Sequence, residues 1–166
     1  LPQGCDLVVS TLVQSKEYIR LENFSRKCIE NGHLSGIAFE GLAASLTQQD
    51  KIDDAIHYLT ARLKEGRQER LLTTLANLHY HKKHYPQSRA FFLEVMKTSP
   101  IWSTWLSRLL KLSTLMGDRD FVNEICKVVL VKTKKYPIVE KKLLKIAEQY
   151  KLEKIAMDLQ KRVKST

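Results

Sequence analysis

Glycine and proline are scarce in this chain of 166 residues, which has six glycines and four prolines. An all-β sandwich or barrel needs a turn signal roughly every 8–12 residues, so this scarcity argues against an all-β fold. No apolar run approaches the roughly 18–20 residues of a membrane span, and the first residues do not read as a secretory signal peptide. Because the sequence starts at Leu1 and not at Met, we expect a fragment of a longer protein.

Cysteine is also rare, with Cys5, Cys28 and Cys126 far apart in the sequence. An odd number of cysteines without Cys-x-x-Cys spacing argues against a disulfide framework and against a zinc site. The sequence therefore predicts buried thiols in a reducing compartment, and we expect a cytoplasmic protein.

A pattern of about 34 residues recurs along the chain, and it is clearest in the repeat that starts at Glu69. Counting from that start, the residues at positions 7, 8, 17, 20, 24 and 32 are Leu75, Ala76, Tyr85, Ser88, Phe92 and Pro100. Weaker copies start at residues 2, 36, 103 and 137, so successive starts are 34, 33, 34 and 34 residues apart. A period of this length is typical of a helical-repeat protein.

This pattern resembles the tetratricopeptide repeat (TPR) family. The resemblance implies an all-α fold, a TPR-like right-handed superhelix of about five helix-turn-helix units, which is an α-solenoid with a concave inner face. The apolar spacing supports the same fold, because each repeat carries two stripes at i, i+3, i+4 and i+7. A single hairpin cannot bury both of its faces, so the repeats must stack. We expect one domain spanning residues 1–166.

The spacing predicts ten helices. They cover residues 4–14, 17–31, 36–48, 52–65, 69–82, 86–98, 102–116, 119–134, 138–150 and 153–164.

In the TPR family the inner face is lined mainly by positions 2, 5, 9, 12 and 13 of the first helix in each repeat. The resemblance therefore implies that this chain binds a peptide or helix segment of another protein in its groove. The candidate groove residues are Glu40, Thr47, Arg70, Thr73, Asn77, Tyr80, His81, Ser107, Lys111, Lys141 and Lys145.

The net charge of +10 is concentrated at the C-terminal end, where residues 127–166 carry twelve Lys or Arg and four Asp or Glu. This basic face could be a solvated end cap, a docking surface for an acidic protein segment, or a surface for nucleic acid or an anionic membrane. Few aromatic residues accompany it, which argues against base stacking. Its candidate residues are Lys132, Lys134, Lys135, Lys142, Lys161 and Arg162.

The residues give no sign of chemistry. His79 and His81 are two apart on a helix and point in nearly opposite directions, so they cannot share a metal ion. We predict no catalytic, cofactor-binding or metal-binding residue. The sequence favours a non-catalytic protein-interaction module, as part of a scaffold, adaptor or regulatory protein. Two alternatives stay open: polyanion binding through residues 127–166, and homodimerisation through the apolar end that contains Leu1 to Val13.

Overall fold

The computed structural model describes residues 2–99, 103–132 and 137–164, and all ten predicted helices occur within them. The helices are α1 (Pro2–Gln14), α2 (Tyr18–Glu30), α3 (Gly36–Gln48), α4 (Ile52–Arg62), α5 (Glu69–His81), α6 (Tyr85–Thr98), α7 (Ser103–Met116), α8 (Arg119–Lys132), α9 (Pro137–Gln149) and α10 (Glu153–Lys164). The odd-numbered helices begin at the five predicted repeat starts. No strand occurs in these described ranges. The all-α prediction is therefore confirmed.

Local side-chain chemistry accounts for the starts of two helices. The hydroxyl of Ser35 accepts a hydrogen bond from the backbone N–H of Ala38 at 3.2 Å and so caps the first turn of α3. Pro86 lies in the first turn of α6, where its missing N–H removes no helical hydrogen bond. The predicted end of α4 was wrong by three residues, because α4 stops at Arg62. The predicted end of α8 lies outside the described residues.

Each hairpin turn contains one residue with a left-handed backbone at the fifteenth position of its repeat. These residues are Lys16, Asp50, Lys83, Gly117 and Lys151, with φ between 52° and 61°. The following residue then donates its N–H back to the carbonyl five residues earlier, as in Lys51 to Leu46 at 2.8 Å and Leu152 to Ala147 at 2.8 Å. This Schellman geometry ends the first helix and reverses the chain. The five turns therefore share one backbone conformation despite their different side chains.

The chain divides into two compact units, Leu1–Ser99 and Pro100–Thr166. The prediction of a single domain over residues 1–166 stays a prediction. In the first unit, α3 packs against α1 and α2, and α5 packs against α3 and α4. In this unit, the first helix of a repeat thus packs against both helices of the repeat before it. The main apolar core of this unit includes Phe39, Leu42, Leu46, Leu59, Leu71, Leu75 and Leu78.

Small residues let the two helices of a repeat come close. Ala76 in α5 and Ser88 in α6 are both fully buried, and the Ser88 hydroxyl donates to the Ala76 carbonyl oxygen at 2.7 Å. Without this hydrogen bond the buried Ser88 hydroxyl would have no partner, which costs about 1–3 kcal/mol.

In the second unit, α8 packs against α7, α9 and α10, and the apolar face of α8 is buried. Two arginines tie this unit together through backbone carbonyls. Arg119 donates to the carbonyl of Lys151 at 2.6 Å, and Arg162 donates to the carbonyl of Leu130 at 3.2 Å. Arg162 also lies 3.7 Å from the buried carboxylate of Glu140. Its guanidinium therefore contributes to the packing of this unit, and its part in the predicted basic face stays a prediction.

The prediction of free thiols was wrong for two of the three cysteines. Cys5 in α1 and Cys28 in α2 form a disulfide with their Cα atoms 6.1 Å apart. The two cysteines are 23 residues apart in the sequence and come close only when the first hairpin folds, so their spacing did not indicate a pair. Cys126 is free and buried as predicted. The cytoplasmic localisation relied on free thiols, so it stays a prediction with less support.

None of the helices in the described ranges has the length and apolar character needed to cross a membrane.

Candidate functional site

A polar groove in the first unit lies between α3 and α5, and we call it the α3–α5 groove. It encloses a cavity of about 250 Å³. Its lining residues are Glu40, Ala43, Ala44, Thr47, Gln48, Thr74, Asn77, Leu78 and His81. The lining residues of each helix are spaced at i, i+3, i+4 and i+7, so they lie on one face of that helix. That face borders the groove, which runs along the helix.

The groove is chemically mixed. Glu40 supplies a carboxylate, Gln48 and Asn77 supply amides, and His81 supplies an imidazole. Ala43 and Leu78 are buried and form an apolar floor. Ala44 is half-buried, and its short side chain keeps the centre of the groove open. Such a surface offers donors, acceptors and a small apolar strip to an extended or helical segment.

Arg70 and Glu40 reach toward each other beside the groove. Their side chains lie 3.7 Å apart, and both are more than half exposed. The stem of Arg70 lies over Gly36 so closely that a Cβ at Gly36 would sit 1.6 Å from its Cδ. A glycine at the start of α3 therefore lets Arg70 lie along the helix. Exposed ion pairs contribute little stability, so both charges remain available to a partner.

The structure brings together four of the predicted groove residues, Glu40, Thr47, Asn77 and His81, at one cavity. Arg70 lies next to them and pairs with Glu40. Thr73 is buried, its hydroxyl donates to the carbonyl of Arg70 at 3.0 Å, and it is not among the residues that line the cavity.

Tyr80 does not line this cavity, and its predicted place on the concave face stays a prediction. It is half-buried and its ring lies 5.8 Å from the ring of Tyr85 in α6. Thr74 and Leu78 line the cavity instead and were missed. The spacing 74, 77, 78, 81 was a usable signal, because it is the stripe of α5 that faces α3.

In the second unit, Lys111 is exposed on α7, and Lys141, Lys142 and Lys145 are exposed on α9. Lys161 is exposed on α10. The side chains of Ser107 and Lys132 and all of Lys134 and Lys135 lie outside the described residues. The described members of the predicted basic face are therefore Lys142, Lys161 and Arg162, whereas Lys111, Lys141 and Lys145 were predicted for the groove and that prediction stays untested.

A second cavity of about 580 Å³ lies between α8 and α10. Its cations include Arg119, Lys127 and Lys154, and its acids include Asp120 and Asp158. Because opposite charges alternate around it, this cavity does not concentrate charge of one sign, as a polyanion site would.

The buried Cys126 and the half-buried His79 are the two side chains whose reactivity burial changes. Burial raises the pKa of the Cys126 thiol to about 11, so the thiol stays protonated and is a poor nucleophile. Burial also lowers the pKa of His79, and the neighbouring His84 lowers it further. The described residues contain no group of three or more His, Cys, Asp or Glu side chains placed to hold a metal ion.

No family model matches this chain, and no curated protein matches it. Three chains of solved structure do match. One is a chain from Podosopora anserina described as a putative kinesin light chain with nearly identical TPR-like repeats. It aligns with a TM-score of 0.56 at 10% identity, over 99% of this chain and 95% of that chain. At this identity the likeness concerns the fold, and together with the five helical hairpins it shows that this chain has a TPR-like helical-repeat fold.

Proposed function

We propose that this chain is a non-catalytic protein-interaction module that holds a segment of a partner protein in the α3–α5 groove. The observation that carries the proposal is the cavity between the first helices of two neighbouring repeats, lined by Glu40, Asn77 and His81. Fold alone does not assign a function, so the proposal depends on the chemistry of this groove. A module of this kind suits a scaffold, adaptor or regulatory protein.

The mixed lining favours a peptide over a small molecule. The cavity is open along both helices, and its polar groups are spread over several helical turns. A small-molecule site usually encloses most of its ligand in an apolar pocket with a few convergent polar groups. An extended segment instead can satisfy polar groups one after another along the groove.

Filling the groove tests the proposal. Peptides that bind the wild type would first be selected from a displayed random library. Ala44→Arg places a long charged side chain in the centre of the cavity, so we expect it to weaken the selected peptides by about tenfold or more. Affinity would be measured by fluorescence anisotropy, and folding would be checked by the thermal melting curve.

Ala61→Arg is the matched control, because Ala61 is exposed on α4 outside the groove. It adds the same charge and should leave peptide affinity unchanged. If Ala44→Arg folds normally and still binds the selected peptides as tightly as the wild type, the groove is not the binding site.

A further inference from the structure

The first helices of the repeats in the first unit are poor in charge. Among the 39 residues of α1, α3 and α5, four are Asp, Glu, Lys or Arg, whereas 11 of the 38 residues of α2, α4 and α6 are. Because 28% of the whole chain is charged, the first helices carry far less charge than the average. Their four charged residues are Asp6, Glu40, Glu69 and Arg70.

The cavity of the α3–α5 groove shares this property. Glu40 is the one charged residue among the nine described residues that line it. By contrast, seven of the eleven described residues that line the cavity between α8 and α10 are charged. The rest of the α3–α5 lining consists of alanine and leucine with hydroxyl, amide and imidazole side chains. Its lack of charge therefore distinguishes this groove.

Arg70 compensates the charge of Glu40. Its guanidinium lies 3.7 Å from the carboxylate of Glu40 beside the cavity. The stem of Arg70 lies against Gly36, which places the guanidinium next to α3. A charged side chain of a partner that approached this pair would be attracted by one member and repelled by the other. The pair therefore leaves the groove without a net charge that would favour either sign.

The other two charged residues of these helices have local roles away from the cavity. The Asp6 carboxylate accepts a hydrogen bond from the Ser35 hydroxyl at 2.6 Å. Glu69 is the first residue of α5, where the helix dipole favours a negative charge. Neither residue is among those that line the cavity. The charge of the groove is therefore decided by Glu40 and Arg70.

Hydroxyl and amide groups border the groove in place of charges. Thr47 and Gln48 line the cavity, and neither side chain makes a hydrogen bond to another described residue. A segment that covers them must supply partners, because a buried polar group without one costs free energy. Hydroxyl and amide side chains and the peptide backbone can do this. A charged side chain at the same place would lose its water and meet no uncompensated opposite charge.

We propose that the α3–α5 groove selects uncharged segments, and that the Glu40–Arg70 pair sets this selectivity. The proposal rests on the proposed function of the groove and adds the chemistry of the partner. That partner is a protein segment whose groove-facing residues are alanine, serine, threonine, asparagine or glutamine. It is distinct from the acidic segment that the basic residues 127–166 were predicted to attract.

A charge scan of a groove-bound peptide tests the proposal. The parent is the tightest peptide selected on the wild type whose binding Ala44→Arg removes. Each of its positions is replaced in turn by serine, glutamate or lysine. Affinity is measured by fluorescence anisotropy at about 150 mM salt, which screens attraction to the +10 chain. At the groove-facing positions, we expect the glutamate and the lysine forms both to bind at least about fivefold more weakly than the serine form.

Single variants of the pair should convert this preference. Glu40→Gln leaves the charge of Arg70 uncompensated, so the glutamate forms should gain about threefold relative to their serine forms. Arg70→Gln leaves the charge of Glu40 uncompensated, so the lysine forms should gain by a similar factor. The double variant removes both charges and should keep the wild-type order of affinities. A thermal melting curve of each variant checks its folding.

Asp54→Asn is the matched control, because Asp54 is exposed on α4 and is not among the lining residues. It changes the net charge as Glu40→Gln does and should leave the preference unchanged. The proposal is wrong if the wild type binds the glutamate or lysine forms as tightly as the serine forms, or if Asp54→Asn shifts the preference as much as Glu40→Gln. In both cases the loss of binding in Ala44→Arg remains. If Ala44→Arg removes no selected peptide, the proposed function fails and this selectivity fails with it.

Discussion

His79 is a half-buried histidine that favours its neutral form. Its ring stacks on Phe91 with the centroids 5.7 Å apart, and its Nδ1 has no hydrogen-bond partner among the described residues. Burial is the main cause of its lowered pKa, and the nearby His84 adds to the effect. Protonating His79 in the folded protein therefore costs more than protonating it in the unfolded chain.

This difference predicts a stability that depends on pH. Above the ordinary histidine pKa of about 6.5, His79 is neutral in both states and its burial has no protonation cost. As the pH falls below that value, the unfolded chain gains a proton before the folded protein does, so the free energy of unfolding decreases. Urea denaturation between pH 7 and pH 5 should show this loss in the wild type and a smaller loss in His79→Leu.

His57→Gln is the control, because it removes a histidine from the exposed surface of α4. Its unfolding free energy should follow the wild-type pH curve. The interpretation of His79 fails if His79→Leu and the wild type lose stability in parallel.

At the scale of the element, the repeated hairpin turn depends on backbone conformation and not on one particular side chain. Four of its five left-handed residues carry a side chain, namely Lys16, Asp50, Lys83 and Lys151. A left-handed conformation costs a residue with a Cβ about 1 kcal/mol relative to glycine. Gly117 avoids this cost in the fourth repeat, where a Cβ would meet nothing within 4 Å.

We therefore expect Lys83→Gly to stabilise the protein by about 0.5–1 kcal/mol, despite the extra freedom of glycine in the unfolded chain. The reverse change, Gly117→Ala, should destabilise by about 1 kcal/mol through the backbone alone. Chemical denaturation of both variants measures these effects. If Lys83→Gly is instead less stable than the wild type, the side chain of Lys83 contributes more than its backbone conformation costs.

The helices and their repeat starts could be predicted because apolar periodicity and turn residues act locally. The groove was predicted only in part. Thr73 and Thr74 are neighbours and both are buried, but only Thr74 lines the cavity, so the lining positions taken from the family do not match this cavity residue by residue. The Cys5–Cys28 disulfide could not be predicted, because its closeness depends on how α1 folds back on α2.

At the scale of the whole molecule, the charge is uneven. Residues 127–166 hold +8 of the net +10, and the exposed Lys141, Lys142 and Lys145 belong to this segment. Attraction to a polyanion depends on released counterions and therefore falls steeply with salt. Contacts inside a groove of mixed polarity depend much less on salt.

Salt titration separates the proposed function from polyanion binding. We expect a single-stranded DNA oligonucleotide to dissociate between about 50 and 200 mM salt, while groove-selected peptides stay bound. The control is the triple variant Lys141→Glu, Lys142→Glu and Lys145→Glu, which should leave the groove peptides unaffected. An oligonucleotide that stays bound at about 200 mM salt and is lost in the triple variant would favour polyanion binding instead.

The disulfide between α1 and α2 has a consequence for how the first hairpin opens. In a helical-repeat array each repeat is stabilised by its own fold and by its nearest neighbours, so one repeat can open while others stay folded. The crosslink closes a loop within this repeat and limits the entropy that the repeat gains on opening. Local opening of the first hairpin is therefore less favourable than it would be with two free thiols.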